Sequence, residues 1–311
     1  MNWKEKKVLI TGGAGFIGSH LSNTLVNLGA DVIIADMFSL AGTKNIEEIK
    51  DKMTLIDVDI SKREEIEKID KNINFIFHLA AYAVPNLCEK NPQTAFKINV
   101  QGTFNILNFA LECGVDKVVF PSSALLYGKN PKYLPIDENH PIEISNSIYN
   151  VTKKLGEDLC ETFYEKHNLP VVYFRLFNAF GSRQSSDYFI PTVIIQALKN
   201  NIIELWNDKP TRDFTYVKDT VNALIKGAET NYCGGPINIG SGREIKTGDI
   251  AKQIADSFGA KISFLNKEVI GSMRLCCDNR KAQKILDWKP EISFENGLKE
   301  TIEWFKQHTL S

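Results

Sequence analysis

Thr11-Gly12-Gly13-Ala14-Gly15-Phe16-Ile17-Gly18 decides how this chain is read. Before it, Lys7-Val-Leu-Ile-Thr11 is a short apolar run that predicts a buried strand. After it, Ile17, Leu21, Leu25 and Leu28 recur on one helical stripe, and Gly29 stands where such a helix stops. Glycines at 12, 15 and 18 then have separate physical uses. The first allows a tight turn, the second lets backbone approach an anionic ligand, and the third lets the helix pack on the strand. The helix N-terminus offers unpaired N–H groups and the positive end of its dipole to phosphate. A glycine repeat alone is weak evidence. Between a strand and a helix it predicts a dinucleotide site that includes Gly12, Gly15, Phe16, Ile17 and Gly18.

Working outward, Asp31–Asp36, Met53–Asp59, Asn74–Leu79, Val118–Ser123 and Val171–Arg175 read as further strands. Long helices are expected at about 92–113, stopped by Gly114, and at 147–167. Ser61 and Glu64 have the spacing of a capping box for another. This alternation predicts an α/β fold with a Rossmann-type, doubly wound parallel sheet. Beyond Leu176 the rhythm loosens, with Pro191, Pro210, Pro236 and Pro290 as breaks. The expected division is a dinucleotide-binding domain at 1–175 and a smaller mixed α/β substrate lobe at 176–311. Part of 212–242 is expected to return to the first. The lobe should cover the C-terminal edge of the sheet, where open α/β sheets bind ligands.

Asp36 ends the second strand. A carboxylate there accepts hydrogen bonds from both ribose hydroxyls of NAD and repels a 2′-phosphate, so NAD is predicted over NADP. No Arg or Lys follows until Lys44. Asp59 and Ile60 end the third strand, where an adenine edge would lie. Leu79, Ala80 and Ala81 end the fourth, where small residues let a cofactor rest on backbone. His78 is expected to be packed and hydrogen-bonded rather than catalytic.

A formal net charge of −1 gives no basic field to attract nucleic acid or an anionic membrane. Apolar runs stay well short of the roughly 20 residues of a membrane span. The N-terminal residues show no apolar signal segment. Six cysteines, at 88, 113, 160, 233, 276 and 277, form no Cys-x-x-Cys pair and no metal-ligand spacing. Free thiols, a reducing cytoplasm and no metal are the expectation.

Tyr149 and Lys153 lie four residues apart on a predicted helix, so they share a face. A phenol titrates near pH 10 and is a poor base at neutrality. A nearby ammonium and a positively charged nicotinamide would lower it. Ser123, ending the fifth strand, can hydrogen-bond the same substrate hydroxyl and steady a developing carbonyl. Such a Tyr/Lys pair recurs by chance on surface helices. The upstream cofactor site and Ser123 on the preceding strand give it weight.

Further marks are His78-Leu-Ala-Ala81, Asn99-Val-Gln-Gly-Thr103, Ser122-Ser-Ala-Leu-Leu-Tyr-Gly128, Arg175-Leu-Phe-Asn-Ala-Phe-Gly181, Arg212-Asp-Phe-Thr-Tyr-Val-Lys-Asp219, Asn238-Ile-Gly-Ser-Gly242 and Leu286-Asp-Trp-Lys-Pro290. With them the chain resembles, over nearly its whole length, the extended short-chain dehydrogenases/reductases of the nucleotide-sugar epimerase/dehydratase branch. The resemblance implies cofactor contacts from Asn99, Tyr149 and Lys153. It places Asn178 near a sugar-nucleotide diphosphate, Arg212 and Arg274 on that diphosphate, and Trp206 against the base. It also implies a two-fold homodimer through the helices carrying Phe104, Leu107 and Leu111, and Leu155, Leu159 and Phe163, each with a second apolar stripe.

Two departures bear on the reaction. Trp206-Asn-Asp-Lys-Pro-Thr-Arg212 replaces the family's frequent Gly-Asp-Gly turn, which leaves base and sugar open. After Ser123 the chain continues Ala124-Leu125-Leu126. The resembling 4,6-dehydratases carry an Asp-Glu pair there, and uronate decarboxylases usually a Glu. Water loss needs a positioned acid and base. The expectation is therefore NAD-dependent epimerisation at C4 of a nucleotide-diphosphate sugar, a UDP-hexose, through a 4-keto intermediate. A 4-keto-sugar reductase or atypical dehydratase is the alternative. A non-catalytic NAD-binding protein is disfavoured by the intact Ser123, Tyr149 and Lys153.

Overall fold

The structure, a computed structural model, describes residues 1–144, 147–265, 267–268 and 271–309, and all side chains among them but those of residues 40 and 41. Strand β1 (Lys7–Thr11) leads through helix α1 (Phe16–Asn27) to β2 (Asp31–Asp36), short α2 (Phe38–Ala41), β3 (Thr54–Asp57), α3 (Arg63–Ile66) and β4 (Phe75–His78). Helices α4 (Pro85–Lys90) and α5 (Pro92–Phe96), a π-helical stretch at Lys97–Gly102, and α6 (Thr103–Cys113) precede β5 (Lys117–Ser123), α7 (Ile148–His167) and β6 (Val171–Leu176). Then come β7 (Asn178–Phe180), α8 (Phe189–Asn200), β8 (Ile202–Leu205), β9 (Thr211–Tyr216), α9 (Val217–Glu229) and β10 (Gly234–Ile239). The chain ends with β11 (Glu244–Lys246), α10 (Thr247–Phe258), β12 (Lys261–Phe264), α11 (Arg280–Leu286) and α12 (Phe294–Thr309).

Seven strands form one sheet in the order β10-β6-β5-β4-β1-β2-β3, all pairings parallel. The fold is the expected Rossmann-type doubly wound sheet, and its apolar strands follow from burial on both faces. Val8 and Ile10 join one core with Leu21, Leu25 and Leu224, while Leu9, between them, joins the other with Ile106, Phe109 and Phe163. Beyond β6 the chain builds two small sheets, β11-β9-β7 and β12-β8, around a third core that includes Phe180, Ile194, Phe214, Ile250 and Phe294. Within that stretch, α9 and β10 return to the large sheet, β10 pairing with β6.

Three local expectations need correction. The Ser61/Glu64 capping box does not form. Ser61 instead gives its backbone N–H and hydroxyl to Asp59 Oδ1, at 3.0 and 2.7 Å. That local turn delays the helix to Arg63, so Glu65 is the residue that reaches back, accepting from the Asp59 N–H at 2.8 Å. The helix expected at 92–113 is interrupted by the π-helical stretch, which sets Gly102 against Ile60; a Cβ on Gly102 would lie 2.6 Å from the Ile60 side chain. Finally, the second stripes on α6 and α7 are not wholly free. Leu107 and Phe163 are buried in the chain's own core, with Leu111 and Leu159 packed against it, because α6 and α7 pack on each other; Phe104 and Leu155 remain exposed.

Candidate active site

The glycine turn joins β1 to α1 at the C-terminal edge of the large sheet. Gly12 has φ +71°, and a Cβ there would stand 2.6 Å from the Ala80 nitrogen. A Cβ on Gly18 would stand 2.1 Å from the Gly12 carbonyl, so helix and turn meet only without one. At Gly15 an added Cβ would meet only that carbonyl, at 3.2 Å, leaving the outer side open to a ligand. Phe16 and Ile17 open α1 directly behind it. Asp36 braces the turn by accepting from the Ala14 N–H at 3.0 Å and the Met37 N–H at 2.9 Å. Burial raises its carboxyl above the ordinary value, and the two N–H groups counter this. Asp57 pairs beside Asp36 in register, a second carboxylate that sequence reading did not single out.

Beneath the cofactor edge, His78 is closed in by threonines. Thr103 spends its proton on the Asn99 carbonyl at 2.7 Å, so its oxygen accepts from His78 Nε2 at 3.0 Å. His78 Nδ1 then accepts from the Thr11 hydroxyl at 2.7 Å, whose oxygen takes the Ala80 N–H at 3.2 Å. Burial pulls the imidazole down to about 3 and keeps it neutral. His78 is thus a packed, satisfied group that fixes the half-buried Leu79-Ala80-Ala81 edge. Asn99 is also engaged by protein. Its amide accepts from the Tyr82 N–H at 2.7 Å and donates to the Tyr82 carbonyl at 3.1 Å and the Thr152 hydroxyl at 3.0 Å. It ties the loop after β4 to helix α7, and Thr152 passes the tie to the Tyr149 carbonyl at 2.9 Å. Asp59 accepts from Ser61, and Ile60 is buried against Gly102.

Ser147 caps α7 through its hydroxyl, and Tyr149 follows in the first turn. Tyr149, Lys153 and Ser123 are only 8%, 7% and 7% exposed. The Tyr149 ring packs with Cys88, Ala95, Tyr82, Leu125 and Ile148. Burial pushes its phenol above the ordinary range, the nearby Tyr188 adds to this, and the Ser123 hydroxyl works the other way. The protein's own groups therefore do not lower the phenol as the Tyr/Lys spacing suggested. The reason is where the lysine goes: Lys153 Nζ donates to the Pro121 carbonyl at 2.7 Å and lies 4.9 Å above the Phe120 ring. Burial draws that ammonium down to about 8. Glu157, one turn along, is held by a buried two-pronged pair to Arg175, at 2.9 and 2.8 Å.

In the smaller lobe, Asp213 organises the residues expected at a second nucleotide. It is buried and accepts from the Ser241 N–H and hydroxyl, the Gly242 N–H and the Cys277 N–H, at 2.7, 2.6, 2.9 and 2.9 Å. Asn178 donates to the Asp213 carbonyl at 3.1 Å. Arg212 is half-buried, donates to the Thr211 carbonyl at 2.8 Å, and has no ion-pair partner among the described residues. Burial lowers its guanidinium pKa. Arg274 has its fork closed on Glu244, at 2.9 and 2.5 Å, and Glu244 also takes the Thr211 hydroxyl. Trp206 stands 48% exposed at the end of β8, with Lys267 5.1 Å over its ring. Tyr188, unpredicted, caps α8 and points its hydroxyl at the Ala83 carbonyl, 3.4 Å away and 105 residues apart in sequence. No local pattern could have announced it.

The sequence model of the NAD dependent epimerase/dehydratase family matches residues 8–240. The chain belongs to that family. A Methanocaldococcus jannaschii protein named provisionally as a UDP-glucose 4-epimerase is 35% identical over 97% of this chain and 99% of its own. A UDP-N-acetyl-alpha-D-glucosaminuronate decarboxylase of Bacillus cytotoxicus is 34% identical over 97% of this chain and 98% of its own. The solved UDP-glucuronic acid 4-epimerase of Bacillus cereus, in complex with NAD and UDP-4-deoxy-4-fluoro-glucuronic acid, superposes with a TM-score of 0.88 at 30% identity, over 97% of this chain and 99% of that one. The cofactor of this epimerase/dehydratase chain is NAD. The open face of Gly15, the unpaired N-terminus of α1 and the braced Asp36 fit it. Among the described residues no three His, Cys, Asp or Glu gather to hold a metal, and no helix is long and apolar enough to cross a membrane.

Proposed function

We propose that this enzyme inverts C4 of a UDP-linked hexose through a 4-keto sugar. The observation that carries the reading is the company Tyr149 keeps. The groups acting on its phenol are Ser123, Tyr188 and Cys88, with no carboxylate among them, and Ala124 and Leu125 occupy the positions after Ser123. Nearby acids are engaged elsewhere: Glu89 accepts the Ile148 N–H at 2.7 Å, and Glu157 is paired with Arg175. Proton traffic at a single hydroxyl suits that set; loss of water or CO2 does not.

Bound NAD supplies the acceptor and donor of the two electrons exchanged at C4. Tyr149 takes the proton of the C4 hydroxyl and returns it after the ring has turned over. Ser123 donates to the same oxygen while it has carbonyl character. Lys153 places a positive charge beside the phenol once the Pro121 carbonyl gives up part of its hold. Arg212, without a carboxylate, binds the substrate diphosphate, and Asn178 lies beside it. Holding the nucleotide at a distance from C4 leaves the sugar free to turn. Arg274 and Trp206 join the nucleotide site only if Glu244 and Lys267 release them.

The exposed apolar residues Phe96, Phe104, Val151 and Leu155 on α5, α6 and α7 are the surface we assign to a two-fold homodimer. The six free cysteines suit a reducing compartment, and we assign the chain to the cytoplasm. The activity is tested by incubating the purified enzyme with NAD and UDP-glucose, UDP-N-acetylglucosamine or UDP-glucuronate, reading products by NMR and mass spectrometry. A C4 epimer of unchanged mass is expected from at least one. A product lighter by water or CO2 as the main species would overturn the proposal.

A further inference from the structure

The sequence contains seven arginines. Arg63, Arg175, Arg243, Arg274 and Arg280 each stand within ion-pair distance of a carboxylate. Among the described residues the two left over are Arg212 and Arg183. Both are half-buried, and in both burial lowers the guanidinium pKa. A desolvated cation without a partner is costly, and an anion that completes it removes the cost. Arg212 faces the proposed sugar nucleotide. Arg183 faces something else.

Arg183 sits between β7 and α8, in the smaller lobe, with φ at +68°. A non-glycine residue rarely adopts that conformation unless its surroundings impose it. Its Nη1 is buried without a hydrogen-bond partner. The preceding residue docks on the cofactor cradle: the Ser182 carbonyl and hydroxyl meet His20 Nε2 at 3.0 and 3.3 Å. His20 lies on the second turn of α1, its ring edge-on to Phe16 at 6.1 Å. On the other side, Glu48 is the acid that acts on Arg183, beyond ion-pair distance. Three residues before Glu48, Asn45 donates to the Ala14 carbonyl inside the glycine turn, at 3.0 Å. Arg183 thus follows directly on the residue docked against α1, and its charge is felt by Glu48, whose segment touches the turn.

The cradle itself lacks a full positive charge. No Lys or Arg occurs between Lys7 and Lys44. His20 does not supply one at neutral pH, since burial draws it down to about 4. The N-terminus of α1 offers N–H groups and a partial charge against a diphosphate that carries two negative charges.

We propose that Arg183 is a ligand of the NAD diphosphate, delivered from the smaller lobe to complete the anion site formed by the Gly12–Gly18 turn and the first turn of α1. A guanidinium fork suits phosphate oxygens, and the imposed backbone aims it. The same contact fastens the smaller lobe to the cofactor. The inference rests on NAD binding alone, so it stands or falls independently of the reaction proposed above.

Isothermal titration of ADP-ribose, adenosine and UDP into wild type, Arg183→Gln and Arg183→Lys tests it. Loss of a charge-assisted hydrogen bond should weaken ADP-ribose by roughly 10–100-fold in Arg183→Gln. Adenosine and UDP should bind as before, and Arg183→Lys should recover part of the loss. Arg183→Gly, which also relieves the positive φ, is a second variant and should show the same selective loss. ADP-ribose affinity unchanged in both Arg183→Gln and Arg183→Gly would overturn the proposal. So would an equal loss for adenosine or for UDP, which would mark a general structural effect.

Discussion

The Lys153 ammonium donates to the Pro121 carbonyl at 2.7 Å and exerts no charge effect on Tyr149 strong enough to offset the burial of the phenol. Pro121 lies on the strand that ends in Ser123, so one strand positions both the lysine and the serine. The fold therefore brings Tyr149, Lys153 and Ser123 together, and burial keeps the Tyr149 phenol neutral.

If Tyr149 carries the proton, Tyr149→Phe keeps the ring packing and loses only the reacting oxygen. The variant should melt within a few degrees of wild type and still bind NAD. Turnover should fall by roughly 10²–10⁴-fold, with Ser123→Ala losing less. Near-normal turnover in Tyr149→Phe would falsify the mechanism.

Lys153 has an ammonium drawn down to about 8 in the folded chain, against 10.5 as the ordinary value. Below pH 8 both folded and unfolded chains hold the proton, and the cost of burying the charge is fully present. Between pH 8 and 10.5 the unfolded chain holds more protons, so this residue's contribution to stability rises with pH. Lys153→Met should therefore stabilise the cofactor-free protein near pH 7 by about 1–3 kcal/mol. The gain should shrink as pH rises from 8 toward 10. Denaturant titrations across that range would show it; a gain that grew with pH would contradict the assignment.

Cofactor choice follows from Asp36 and the neighbouring Asp57. A 2′-phosphate would meet two carboxylates there, so NAD should bind at least about 10-fold more tightly than NADP, an electrostatic difference that added salt reduces. Asp36→Ala should narrow the gap, as read by tryptophan fluorescence or calorimetry. Equal affinities in the wild type would remove Asp36 from this role.

Association is testable at Leu155 and Phe104, which stay 36% and 43% exposed on the packed α6–α7 pair. Light scattering at micromolar concentration should report a dimer for the wild type and a monomer for Leu155→Glu, since a buried unpaired carboxylate is not tolerated at a packed interface. A wild-type monomer would show that this face has another use.

The sequence by itself determined the large sheet and its cofactor end, and it singled out Ser123, Tyr149 and Lys153 as the candidate reacting group. Short-range patterns carry these: a buried strand, a turn that only glycines allow, a helix stripe, and two side chains four apart on one helix. It also led to the expectation of a packed, hydrogen-bonded His78, which the bonds to Thr11 and Thr103 bear out. Tertiary structure decided the matters that depend on partners far along the chain. Arg274, expected at the substrate diphosphate, closes its fork on Glu244, 30 residues back in the chain. Asn99, expected at the cofactor, uses its amide to tie Tyr82 to Thr152. Lys153, expected beside the Tyr149 phenol, donates to the carbonyl of Pro121, 32 residues away in sequence. A hydrogen-bonding group takes whichever partner the fold brings within about 3 Å, and spacing in sequence records that only along one helix or strand. Tyr188 and Arg183 show the same limit from the other side. Tyr188 reaches Ala83, and the residue before Arg183 reaches His20, across more than a hundred residues of chain that only the fold closes.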